Sequence, residues 1–147
     1  MPEPGGTDGR IWRVTGSPLV AGRRPANGTR PLDGETVAVK DLFAVAGQPI
    51  GAGVPAYLAE ATVQPVSAPA VQALLDAGAD VVGIAQTDEF AYSIAGANPH
   101  YGTPPNPAVP GGLPGGSSSG PASAVALGQA SIGLATDTAG SVRVPAS

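Results

Sequence analysis

Pro69-Ala70-Val71-Gln72-Ala73-Leu74-Leu75-Asp76-Ala77-Gly78-Ala79-Asp80-Val81-Val82-Gly83-Ile84-Ala85 is the stretch on which the fold class turns. Val71, Leu74 and Leu75 fall at i, i+3 and i+4 and predict one apolar helical stripe. Ser67 can cap that helix, Pro69 suits its first turn, and Gly78 can stop it. Val81 to Ala85 then reads as a short apolar strand. Working outward, Thr36-Val37-Ala38-Val39-Lys40 is a β-branched run behind the Asp33-Gly34 turn, and Ile132-Gly133-Leu134-Ala135 is another short strand. Strands that are apolar on both faces and alternate with helices predict an α/β fold with a parallel or mixed sheet.

Further elements follow from local signals. Thr87 can cap a second helix with Asp88 and Glu89 in its first turn, where the helix dipole favours anions. Phe90, Ala91 and Ile94 would be its inner face. Pro121 opens a third helix, Ala122 to Leu127, small and apolar all round and so expected to be buried. Gly47 to Pro55 and Asn98 to Gly116 read as loops. Residues 1–32, rich in Gly, Pro and Arg, are expected to form an extended, partly mobile arm broken by a strand-like run at Ile11 to Val14. Residues 33–147 form the domain proper, a sheet that looks like the front part of a larger one.

Composition narrows the function. The 147 residues suit about one domain. The 22 glycines and 17 prolines approach a low-complexity level, yet 42% hydrophobic residues and a net charge of only −4 argue for a packed, loop-rich structure. Seven basic side chains against eleven acidic ones give no nucleic-acid surface. The lack of cysteine excludes disulfides and thiolate sites. One histidine, His100, excludes a multi-histidine metal site and leaves a Ser-His-Asp arrangement a single candidate base. No apolar run reaches the roughly 18 residues of a membrane span, and the N-terminus lacks a signal-peptide pattern. The expectation is a soluble cytoplasmic protein.

Three segments can carry chemistry. Lys40, the sole lysine, ends an apolar strand in Val37-Ala38-Val39-Lys40-Asp41-Leu42-Phe43. Burial there would make it a neutral base; the alternative is a strand-end lysine reaching to water. Asp41 points to the opposite face and does not stabilise its charge. Gly115-Gly116-Ser117-Ser118-Ser119-Gly120, followed by Pro121, places hydroxyls at a helix N-terminus. It lacks the lysine of a phosphate-binding P-loop, and a flexible Gly/Ser connector is its plain alternative. In Ala135-Thr136-Asp137-Thr138-Ala139-Gly140-Ser141-Val142-Arg143-Val144-Pro145 a strand runs into a tight turn of small residues. Backbone N–H groups from Thr138 to Ser141 can converge on one point as an oxyanion hole. An ordinary turn capped by Asp137 is the alternative there.

Together these segments resemble the amidase signature family, whose hallmark is a Gly-Gly-Ser-Ser-Gly loop followed by Asp-x-Gly/Ala-Gly-Ser-x-Arg-x-Pro. The resemblance covers roughly residues 33–147 and the family's N-terminal portion only. It implies a mixed sheet flanked by helices, cut off after the nucleophile turn. It also implies hydrolysis of a small-molecule carboxylic amide through a serine acyl-enzyme, with no metal, cofactor or histidine. Residue by residue, Ser141 matches the nucleophile, Ser117 the bridging serine held on a cis peptide after Gly116, and Lys40 the base. Thr138, Ala139, Gly140 and Ser141 match the oxyanion hole. Ser118 supports the relay, and Asp137 and Arg143 fix the loop.

Two residues depart from the pattern. Ser119 and Ala139 stand where glycines are more usual, and both fit if their φ is negative. Asp88 to Ser93 with Asn98 to Pro104 is similar to the branch containing plant indole-3-acetamide hydrolases, which makes His100 a structural loop residue. The implied partners are a small amide and, in the longer enzyme, a second copy in a homodimer, with neither nucleic acid nor membrane. The competing readings are a truncated, non-catalytic amidase fragment and the amidase subunit of a glutamyl-tRNA amidotransferase.

Overall fold

A computed structural model describes residues 7–147. Its centre is a four-stranded mixed sheet of β1 (Trp12–Val20), β2 (Thr36–Lys40), β3 (Asp80–Ala85) and β4 (Ile132–Leu134). The strand order is β1-β3-β2-β4. β2 runs parallel to both β3 and β4, and β1 closes the far edge antiparallel to β3. Within the described residues the helices are α1 (Pro55–Glu60), α2 (Pro69–Asp76), α3 (Ser119–Ala126) and α4 (Arg143–Ala146). The α/β class and mixed sheet expected from the strand–helix alternation are present.

The period of two along β2 gives its faces different work. Val37 and Val39 join Val71 and Leu75 of α2, Val81 and Ile84 in one apolar core. Ala38 lies in a second, smaller core with Ala124 of α3, Ala85, Ile11 and Trp12. Lys40 shares the parity of Ala38, so it emerges on the α3 side. Small residues let α3 lie close to the sheet. A Cβ added at Gly120 would come within 2.5 Å of the Gln86 backbone nitrogen and oxygen, so only glycine permits that approach. The Gly120 N–H donates to the Gln86 carbonyl at 3.0 Å.

Several local expectations are corrected. Within the stretch read as an arm, Trp12–Val20 is a nine-residue strand. It was hidden by Gly16 and Pro18 and by the irregular register with β3. The second helix is absent: Glu89–Ala91 is a single 3₁₀ turn. Phe90 and Ala91 have left-handed backbone (φ 46° and 56°), which cannot continue a helix. Phe90 and Ile94, assigned to an inner face, are more than half exposed. The diversion is tertiary, because the Phe90 N–H donates to the Ala52 carbonyl at 2.9 Å. Ser67 does not cap α2; its Oγ accepts the Ala46 N–H at 3.0 Å. α3 starts at Ser119, ahead of Pro121, and buries one side only, with Val125 and Leu127 well exposed. The short helix α1 follows the loop expected from Gly47 to Pro55 and was not foreseen.

Candidate active site

β2 delivers Lys40 to the point where the Gly/Ser loop turns into α3. The side chain is fully buried. Its Nζ lies 2.8 Å from Ser117 Oγ, 2.9 Å from Ser118 Oγ and 2.7 Å from Thr136 Oγ1. Reaching to water, the alternative for a strand-end lysine, is therefore not its geometry. Burial lowers the Lys40 pKa from 10.5 to about 8, and the charges of Asp88 and Asp137 partly counter that effect.

The hydrogen-bond inventory restricts what each hydroxyl can do. Ser118 Oγ donates to the Thr136 carbonyl at 3.3 Å. A serine has one hydroxyl hydrogen, so Ser118 only accepts from Lys40. Ser117 and Thr136 remain as hydroxyls able to donate to a neutral amine. Thr136 was not singled out from the sequence. Its one available signal was its place at the end of a strand, two residues after Leu134 of β4, where a side chain of matching parity faces the neighbouring strand's end.

Ser117 follows a cis peptide after Gly116. Ser141 is held close by, because the Ser118 N–H donates to the Ser141 carbonyl at 3.1 Å. Ser117, Thr136, Thr138, Ala139 and Ser141 all line one cleft of about 350 Å³, whose outer wall includes Tyr92 and Ile94. Asp137 organises the turn. Its carboxylate accepts the N–H groups of Gly140 (3.0 Å), Val142 (3.1 Å) and Arg143 (3.0 Å), and the Arg143 guanidinium at 2.8 and 3.0 Å. These contacts hold its pKa well below the usual carboxylate range, the Arg143 side chain contributing most.

One assignment changes as a result. Because the Gly140 N–H is directed at Asp137, it is not free for an oxyanion, and the candidate donors become Thr138, Ala139 and Ser141. Ser119 and Ala139 are not among the residues with positive φ, so neither departure from glycine strains the backbone. His100 sits at the surface, 3.2 Å from Glu89 through Nε2. Asp41, on the other parity of β2, is paired with Arg13 at 2.9 Å and buried, and burial pushes its carboxyl up.

Known proteins resemble this chain over most of its length. The sequence profile of the Amidase family matches residues 20–147. The chain belongs to the amidase signature family. It is 50% identical over 122 residues to "Amidase 1" of Oryza sativa subsp. japonica, covering 83% of this chain and 28% of the relative. It is 48% identical over 137 residues to "Amidase 1" of Arabidopsis thaliana, covering 93% of this chain and 31% of the relative. Among solved structures, Kluyveromyces lactis allophanate hydrolase superposes with a TM-score of 0.70 at 40% identity, over 79% of this chain and 18% of that one. The chain thus spans under a third of the length of the plant amidases it matches. Its amidase relatives are hydrolases of amide C–N bonds. No helix among the described residues is long and apolar enough to cross a membrane.

Proposed function

We propose that this protein hydrolyses a small-molecule carboxylic amide through a serine acyl-enzyme, using Lys40, Ser117 and Ser141 as a relay. The observation that carries the reading is the buried Lys40 amine, 2.8 Å from Ser117 Oγ. Neutral Nζ accepts the Ser117 proton as Ser117 takes that of Ser141, and Ser141 Oγ attacks the amide carbonyl. The developing oxyanion is met by the N–H groups of Thr138, Ala139 and Ser141. Lys40 then returns the proton through Ser117 to the leaving nitrogen, the C–N bond breaks, and water cleaves the ester. Ser118 and Thr136 orient the amine throughout. No metal or cofactor takes part in these steps, and the location is cytoplasmic.

The likeness to plant amidases supports a small carboxylic amide as the substrate class. The test is hydrolysis of aryl and alkyl amides by the protein and by Ser141→Ala. Loss of turnover in the variant supports the assignment, and full activity overturns it. The short span relative to the plant amidases favours a second reading, in which these residues hold the relay without a complete acyl pocket. A serine-directed fluorophosphonate separates the two: labelling at Ser141 marks a complete site, and a folded chain that stays unlabelled marks the fragment.

A further inference from the structure

Asp88 is fully buried, and the relay gives it no part. Its Oδ2 accepts the Gly96 N–H at 3.0 Å, whereas Oδ1 has no hydrogen-bond partner among the described residues. A buried carboxylate with one backbone donor and no ion-pair partner is costly unless a charge elsewhere compensates it. Its position suggests which charge. Asp88 lies three residues beyond Ala85, the register partner of Lys40. Its own N–H donates to the Ser117 carbonyl at 3.1 Å. Its carboxylate lies flat against Gly116, where an added Cβ would be 2.6 Å from each oxygen. Gly116 therefore leaves the carboxylate room beside the turn that presents Ser117 to Nζ.

We propose that Asp88 is a positioning residue whose carboxylate is the counter-charge of Lys40, stabilising the ammonium that forms when the relay delivers a proton to Nζ. The inference rests on the Ser-Ser-Lys reading for its catalytic meaning. The direct partners of Nζ are hydroxyls, which accept hydrogen bonds but carry no charge. Of the charged groups around it, Asp137 on the turn after β4 is already bonded to Arg143. Asp41, next on its own strand, is paired with Arg13. Asp88 is the anion left without a cation. As the Ser141 O–H bond breaks and an N–H bond forms on Lys40, the site gains an ammonium and an oxyanion. Without Asp88 the amine would be neutral over a wider pH range but too weak a base to hold the proton until the leaving nitrogen takes it.

The sequence offers a direct test, because Lys40 is the only lysine. Protein labelled with ¹³C and ¹⁵N in lysine gives one side-chain signal, whose titration reads Nζ without reference to turnover. In Asp88→Asn, which keeps the shape and the acceptor for Gly96, the midpoint should fall by about one pH unit. Where amide turnover is measured, the acid limb of the kcat profile should move down with it, kcat should drop, and KM should stay nearly constant. An unchanged or raised Lys40 midpoint in the folded variant overturns the proposal. Should Asp88→Asn fail to fold, the wild-type Asp88 carboxyl ¹³C signal decides: an inflection at the Lys40 midpoint supports the coupling, and its absence overturns it. Full activity in Ser141→Ala would remove the catalytic reading while leaving the Lys40–Asp88 coupling standing, so the two failures are distinguishable.

Discussion

The two faces of β2 show how one five-residue strand serves two unlike environments. On the α2 side Val37 and Val39 meet Val71, Leu75, Val81 and Ile84, all branched and apolar. On the α3 side Ala38 packs with Ala124, and Lys40 meets the buried serines 117 and 118. The first face is a core whose energy is area removed from water. The second gives up that area for close backbone approach and a dry pocket in which an amine can lose its proton. Among the described residues, non-glycine left-handed backbone occurs at Ala52, Phe90 and Ala91, and the Phe90 N–H donates to the Ala52 carbonyl. Stability and chemistry are thus divided between opposite sides of one sheet.

That division can be broken from either side. The largest effect is expected on the chemical face. Ser141→Ala should cut amide turnover by roughly 10⁵–10⁶-fold, with an unchanged urea midpoint, as read by steady-state hydrolysis and denaturation side by side. Lys40→Met should cut turnover by roughly 10²–10⁴-fold, the range of general-base assistance, while the fold persists. Turnover by the wild type should rise with pH through about 8 as Lys40 becomes neutral.

Stability should follow the same group with a definite sign. The folded pKa lies below the unfolded one, so between about 8 and 10.5 the unfolded chain binds more protons, and the Lys40 contribution to stability grows as pH rises across that window. Urea titrations at pH 8 and pH 10, with Lys40→Met lacking this increment, check it. On the apolar face, Val71→Ala should lower stability by about 2 kcal/mol and leave the Lys40 midpoint in place. The smallest effect is expected from Ala91→Gly, which relieves the left-handed strain and should raise stability by about 0.5 kcal/mol, measured by thermal unfolding.

What could be read in advance followed from how local each signal is. Val71, Leu75 and Gly78 carry their roles in their spacing, and α2 and β3 lie where that spacing puts them. The Gly/Ser loop and the Asp137–Pro145 turn were legible because small residues and hydroxyls cluster in order along the chain. The 3₁₀ turn at Glu89–Ala91 was not, since the bond that diverts it reaches back to Ala52. Asp88 read as a first-turn acid of a helix that does not form, and its contact with Gly116 joins residues far apart in sequence. Thr136 had no pattern to mark it, because a lone threonine after a strand is common. The direction of the Gly140 N–H depends on how Asp137 folds back over its own loop, which residue type alone does not specify.

Placing the sole lysine wholly inside has a practical consequence for conjugation. Amine-directed dyes and crosslinkers will not reach Lys40 while the chain is folded, and an adduct on it will appear only as fast as the fold opens. Counting adducts by mass over time would therefore serve as a clock for that opening.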